Sequence, residues 1–302
     1  MIQQTVVREV SVIIPTVGRD LLRGCLGSIR AGSVWPGELI VVDQSRDPRV
    51  DPWIEDLRRD GVTVQHVKSD QRGIAAATNR GLECARSTYI AITHDDCRVR
   101  TDWLEKLARR LPEVGDAVVT GRVEPGGDGL VLTVMTRREP AVYTRPMIDR
   151  DVLFPPNMGL PARLFERIGY FDEHPSLRLA GEDNEWAYRA LRGNIPIVYD
   201  PEIIVTHLGW QDRSVLTSVL RRYARGQGSF YGKYLRRGDP FIVKRVLRDL
   251  VRAPWLLLRG ALSNNRELLA MGVGDVTGLP PGLLAGLRNA GDRVPLPRTR
   301  GT

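Results

Sequence analysis

The stretch Ile90-Ala-Ile-Thr-His-Asp-Asp-Cys97 carries an apolar run into two adjacent carboxylates, Asp95 and Asp96. Two acidic side chains side by side offer the hard oxygen ligands that a divalent cation takes while it binds phosphate oxygens. An acidic turn or a helix N-cap accounts for the same pair, so the dipeptide alone leaves both readings open. A second apolar run, Glu38-Leu-Ile-Val-Val-Asp43, also ends in a carboxylate. Strand-end carboxylates converge on one crevice when the strands lie parallel in an open α/β sheet. The loop Ser69-Asp-Gln-Arg-Gly73 enters a helical segment and brings Arg72 to a helix N-terminus, a position suited to a base or a phosphate.

The elements that must position these groups alternate. Val10–Ile14, Glu38–Asp43, Val62–Val67 and Tyr89–Thr93 read as strands. Arg19–Arg30, Trp53–Arg59 and Gly73–Ala85 carry helical spacing. Strand–helix alternation predicts right-handed βαβ units and a mostly parallel, doubly wound sheet with flanking helices. The segment 121–155 has a turn signal at Gly126-Gly-Asp-Gly129 and then no clear period; it is expected to be a loop on the acceptor side. Glu182-Asp183 opens another helical segment, where an acidic pair complements the helix dipole.

Composition narrows the class. A 302-residue chain with 42% hydrophobic and 26% charged residues suits a globular α/β domain plus an appendage. No unbroken apolar stretch approaches the length of a membrane span, and the N-terminus lacks the pattern of a signal peptide. Cys25, Cys84 and Cys97 are scattered without metal-ligand spacing, which points to a reducing, cytoplasmic setting. There is no Gly-x-Gly-x-x-Gly after the first strand and no Walker A motif, which removes most support for dinucleotide oxidoreduction and P-loop hydrolysis.

Several segments in order resemble family 2 inverting glycosyltransferases of the GT-A fold. They are Val10-Ser-Val-Ile-Ile-Pro-Thr16, Leu39-Ile-Val-Val-Asp43, Arg72-Gly73 with Asn79-Arg-Gly81, and Thr93-His-Asp-Asp-Cys97. Pro156-Asn-Met-Gly-Leu160, Ile168-Gly-Tyr-Phe-Asp-Glu173 and Gly181-Glu-Asp-Asn-Glu-Trp186 follow. The resemblance covers residues 1–210, leaving 211–302 as a basic, largely helical C-terminal region. It implies that Pro15, Thr16, Asp43, Arg72, Gly73 and Asp95 bind the donor, with Asp95 near the ribose. It implies that Asp96 and His207 hold Mg2+ or Mn2+, and that the cation neutralises the departing diphosphate. Asp183 is the implied general base; an Asp of ordinary pKa is ionised at pH 7. Asn157, Met158, Glu182 and Trp186 are the implied acceptor-side residues, Trp186 by stacking on a sugar or by packing. The chain departs from the family's acidic motif at its first position, where His94 stands. A strand-end His is usually structural, so His94 is expected to point into the core.

The implied activity is a metal-dependent inverting transfer of a hexosyl type, from a nucleotide-diphosphate sugar, UDP favoured, to a glycan or lipid-linked acceptor hydroxyl. The setting is cell-envelope or polysaccharide synthesis. The alternatives are a non-catalytic nucleotide-sugar binder and a nucleic-acid-binding protein; no stacking platform, zinc motif or helix-turn-helix supports nucleic acid as a partner.

The net charge of +8 is uneven. From residue 211 onward there are seventeen Lys/Arg against six Asp/Glu, whereas the first 210 residues are slightly acidic. Ser214 to Leu235 has helical spacing interrupted by Gly226-Gln-Gly228, and its Arg221, Arg222 and Arg225 either reach toward a diphosphate or solvate the helix. Phe241 to Ala253 is a basic amphipathic helix. Lys244, Arg245, Arg248 and Arg252 share one arc; Val243, Val246, Leu247 and Leu250 share the other. Pro254 is expected to stop or kink it. Such a helix either lies peripherally on an anionic membrane, here the inner face of the cell membrane, or packs its apolar face on protein. The Arg- and Pro-rich end is expected to be disordered.

Overall fold

The structure is a computed structural model and describes residues 4–178 and 180–288. The expected disordered C-terminal end lies outside the described residues.

The chain runs β1 (Val6–Thr16), α1 (Leu21–Arg30), β2 (Trp35–Asp43), α2 (Val50–Arg59), β3 (Val64–Lys68), α3 (Ile74–Cys84) and β4 (Tyr89–Ile92). These four strands lie side by side in the order β3-β2-β1-β4, all parallel. The central strand β1 shows why. Val12 and Ile14 enter the core beneath α1 and α2, while Ile13 enters the core on the opposite face with α3. A strand buried on both faces needs the unbroken apolar run seen at Val10–Ile14. The register sets Thr16 against Asp43, so the first two strand ends stand together at one edge. β1 and β2 both extend beyond the apolar runs that announce them, because the ladder also pairs Val6 with Trp35.

The second half is mixed. It comprises β5 (Cys97–Val99), α4 (Trp103–Val114), β6 (Val118–Gly126), β7 (Ala141–Tyr143), a 3-10 turn (Pro155–Asn157), β8 (Met158–Pro161), α5 (Leu164–Ile168), α6 (Glu182–Arg192) and β9 (Ile197–Leu208). β8 is antiparallel to β4 and β6; β9 is parallel to β6 and antiparallel to β5 and β7. The antiparallel β5–β9 pairing sets Cys97 opposite His207 and thereby draws the residue before β5 to the end of β9.

Three long helices close the described chain: α7 (Leu216–Leu235), α8 (Pro240–Leu262) and α9 (Arg266–Arg288). α7 is continuous through Gly226 and Gly228, against the expected interruption. Those glycines serve close approach: a Cβ at Gly226 would lie 2.1 Å from Ala180 O, and one at Gly228 would lie 2.3 Å from Leu279 O. α8 likewise runs on past Pro254. α9 is long and apolar enough to cross a membrane by length and composition, a property that counting unbroken apolar runs does not reveal.

Among the described residues the helical trio has no separate core. Phe230, Tyr231, Tyr234, Ile242 and Leu279 pack with Leu177 and Tyr188 of the sheet-bearing part. A buried ion cluster adds to this. Lys233 Nζ lies 2.7 Å from Asp172 Oδ2 and 2.8 Å from Glu185 Oε1, and the Tyr234 hydroxyl donates to Glu185 at 2.7 Å. Burial alone would raise the Glu185 carboxyl, but Arg189 and Lys233 outweigh it and hold it below its ordinary value.

Candidate active site

A cavity of about 560 Å³ lies between the sheet edge and the helical trio. It collects Asp96 and His207 from the β5–β9 junction, Glu182 and Asp183 from the start of α6, Asp151 from the loop before the 3-10 turn, and Arg245, Arg248 and Arg252 from α8. The loop segments 133–135 and 149–156 line it, in the region expected to form the acceptor side.

Asp96 and His207 meet as the resemblance implies. His207 Nε2 lies 3.7 Å from Asp96 Oδ2, a separation that one cation bound to both at ~2.1 Å can span. Burial would raise the Asp96 carboxyl, yet the neighbouring His207 imidazole and the nearby cationic groups hold it well below the carboxylate range. Burial would lower the His207 imidazole, but the Asp96 carboxylate 3.7 Å away raises it. One hard oxygen and one imidazole nitrogen, open to a cavity, fit Mg2+ or Mn2+ completed by phosphate and water oxygens.

Cys97 stands beside them, its Sγ 3.7 Å from Asp96 Oδ1. Burial, reinforced by Asp96, pushes its thiol pKa far up, so the group stays protonated and is a poor ligand for a hard cation. Its place directly after Asp96 in the chain was the signal for this neighbour.

His94 lines the cavity instead of the core, a correction to the sequence expectation. Burial pulls its imidazole down to about 4, so it is neutral at pH 7 and adds no charge beside Asp96 and His207. Asp95 turns away from Asp96. Its Oδ1 accepts from Arg19 at 2.6 Å and its Oδ2 accepts from the Thr16 hydroxyl at 2.7 Å. Arg19 also sits 4.6 Å from the Trp210 ring centre. Sequence reasoning passed over Arg19; its place just beyond the end of β1 was the available signal.

The expected donor residues gather at the parallel strand ends but do not line the large cavity. Pro15, Thr16, Asp43 and Asp95 are buried. Asp43 Oδ1 accepts from the Ser45 amide and hydroxyl at 2.8 and 2.6 Å, and Oδ2 lies 3.2 Å from His66 Nε2. Arg72 is exposed, and Gly73 caps α3.

At the other end of the cavity, Gly181 caps α6 in the left-handed region, φ 92°. A side chain there would be strained and would collide with Gly226 of α7. This turn aims Glu182 and Asp183 into the cavity. The Asp183 Oδ1 accepts from the Asn184 amide at 2.8 Å. Burial raises the Asp183 pKa to about 6, against the amide bond and helped by the charge of Asp151; the ordinary value expected from sequence is thus corrected. Burial and then Asp183 push Glu182 well up, and its Oε2 is buried without a partner.

Three expected acceptor residues are not at the cavity surface. Trp186 is 0% exposed, stacked on Phe171 and donating from Nε1 to Gly169 O at 3.0 Å, so it cannot stack on a sugar. The Asn157 amide donates to Arg122 O and Ile203 O and accepts from Trp103 Nε1, all at 2.9 Å, which saturates it as a structural bridge. Met158 is in the hydrophobic core, because β8 lies inside the sheet between β4 and β6. Periodicity could not separate these roles, since a motif residue supporting a site and one touching its ligand have the same spacing.

The glycosyl transferase family 2 model matches residues 11–169, more than half of the chain. Glucosyl-dolichyl phosphate glucuronosyltransferase of Haloferax volcanii is 26% identical over 116 residues, 37% of each chain. The O-antigen chain rhamnosyltransferase RfbN of Salmonella typhimurium is 24% identical over 214 residues, 66% of each. This chain thus spans less than two thirds of the length of either relative. Among solved structures, mannosyltransferase PcManGT from Pyrobaculum calidifontis, in complex with GDP-Man and Mn2+, aligns with a TM-score of 0.61 at 15% identity, covering 93% of this chain and 88% of that one. S. aureus TarS 1-349 in complex with UDP aligns at 0.57 and 16%, covering 89% and 90%. These likenesses establish the GT-A fold, with its mixed sheet, flanking helices and a C-terminal helical segment. The family model, with the order of motifs, shows that this chain belongs to glycosyl transferase family 2.

Proposed function

We propose that the chain transfers a sugar from a nucleotide-diphosphate sugar to an acceptor hydroxyl with inversion, in cell-envelope or polysaccharide synthesis. The observation that carries this is the shared cavity. Asp183, with a pKa raised to about 6, opens onto the same space as the Asp96–His207 pair. A base of that pKa is largely ionised at pH 7 yet more basic than an ordinary Asp, which favours proton transfer.

On this reading, the acceptor oxygen attacks the anomeric carbon as the bond to the diphosphate breaks, and Asp183 Oδ takes the hydroxyl proton. Glu182, beside Asp183 at the cavity wall, hydrogen-bonds an acceptor hydroxyl. Asp96 and His207 hold Mg2+ or Mn2+, which supplies charge neutralisation on the departing diphosphate. Thr16, Asp43, Arg72 and Gly73 mark the base and ribose side, with Pro15 and Asp95 supporting it. Their convergence at adjacent parallel strand ends supports this assignment. Residues 1–210 then carry donor, cation and base, and the helices after 210 close the acceptor side. Three free cysteines suit a cytoplasmic setting. UDP and GDP sugars are both occupants of similar folds, so the donor base is a question for binding.

The test is Asp183→Asn. Transfer should fall by about 10²–10⁴-fold, the usual worth of a general base. Nucleotide-induced thermal stabilisation should persist. Wild-type turnover in this variant removes the assignment.

A further inference from the structure

Helix α8 is turned the opposite way from an ordinary surface helix. Arg245 and Asp249 are buried and, with Arg248 and Arg252, form one wall of the cavity. The outer face is apolar: Leu247, Leu250, Val251, Trp255, Leu258 and Leu262 are 49–80% exposed. Their spacing of three and four residues makes one stripe along a helix of 23 residues. A contiguous exposed apolar stripe of this extent marks an interaction surface. Of the two arcs read from the sequence, Arg245, Arg248 and Arg252 face the cavity and Leu247 and Leu250 face outward, while Val246 packs against the protein and Lys244 is exposed.

The charges around the stripe indicate what covers it. Lys244 and Arg259 are exposed beside it, and the Arg259 guanidinium lies 5.0 Å from the Trp255 ring centre. The sole acid of α8, Asp249, is buried and paired with Arg248. The outer surface of this helix thus offers apolar side chains, an aromatic ring and cations, with no anion.

We propose that this face of α8 seats on the surface of an anionic lipid bilayer. Apolar side chains enter the acyl boundary, Trp255 lies at the interface, and Lys244 and Arg259 meet lipid phosphates. A two-fold contact with a second copy would bring the same cations together with no acid on either helix to pair them. Arg245, Arg248 and Arg252 line the cavity from the other side of the same helix. A bilayer seated there lies about one helix diameter, roughly 10 Å, from the cavity, so an acceptor carried by a membrane lipid would be presented to it. The docking surface stands on exposure and charge, independent of the assignment of Asp183.

The experiment is flotation of the full chain with vesicles of phosphatidylcholine alone, and of phosphatidylcholine and phosphatidylglycerol in equal parts. The wild type should float with the mixed vesicles and far less with neutral ones. Leu247→Asp/Leu258→Asp should lower the bound fraction about tenfold, as should Lys244→Glu/Arg259→Glu, with unchanged thermal unfolding and unchanged nucleotide-induced stabilisation. A wild type that stays in solution with both vesicles overturns the proposal. So does vesicle binding indifferent to both double substitutions. So does a dimer in sedimentation that Leu247→Asp/Leu258→Asp dissociates, which would give the face to a second copy.

Discussion

His207 Nε2 stands 3.7 Å from Asp96 Oδ2 because the antiparallel β5–β9 ladder pairs Cys97 with His207 and lets the Leu208 amide donate to Asp96 O at 2.8 Å. Two residues far apart in sequence are thus fixed by backbone pairing, not by side-chain chance. Thermal shift with UDP or GDP, with Mn2+ or with EDTA, reads the consequence. Asp96→Ala or His207→Ala should remove most of the Mn2+-dependent shift. A ligand at a hundred times its dissociation constant gives about 2.7 kcal/mol of stabilisation, so the loss is measurable. A full shift retained in both variants would exclude the pair as the cation site.

Asp183 has a folded pKa of about 6, above its ordinary value near 4. Protonation removes the base, so kcat/KM should fall as pH drops through about 6. The sign for stability is the reverse of the usual Asp case. The folded state binds the proton more tightly, so the ionised Asp183 costs stability above pH 6. Asp183→Asn should therefore melt higher than wild type at pH 7, and the difference should shrink toward pH 4, where folded and unfolded states are both protonated. Equal melting at pH 7 would contradict the burial that raises this pKa.

Trp186 and Asn157 serve the framework. Trp186→Ala should cost roughly 3–5 kcal/mol of stability, and Asn157→Ala roughly 1–3 kcal/mol or more through the bonds it leaves unmet. Denaturant unfolding measures both. A specific rise in acceptor KM with unchanged stability in Trp186→Ala would return the ring to the sugar site.

Lys233 is buried between Asp172 and Glu185. Lys233→Met leaves the Asp172 carboxylate without its buried cation and Glu185 with Arg189 as its remaining one, and should cost roughly 3–5 kcal/mol. The loss should be smaller at acid pH, where these carboxylates take up protons, and urea midpoints across pH would follow it.

Gly226 packs against the turn that presents Asp183. Gly226→Ala puts a Cβ against the Ala180 carbonyl, so it should displace the turn and reduce transfer more than it reduces nucleotide-induced stabilisation. Parallel losses in both would mean a global rather than a local effect.

Local pattern determined a good deal of this protein. Unbroken apolar runs announced β1, β2 and β4, because a strand covered on both faces has no polar alternation. Motif order announced the family, the Asp96–His207 pair, and Asp183 at the start of α6. Periodicity also identified which residues of α8 share a face. Only the tertiary structure decided which face turns inward. The arginine arc is drawn to Asp151 and Asp275 across the cavity, at 2.8 Å in each case, and the apolar arc is left outside. The same holds for His94 lining the cavity and Trp186 sealed in the core. Spacing along a chain records a residue's neighbours on its own element. What lies opposite is set by the register and packing of segments distant in sequence, which no local pattern contains.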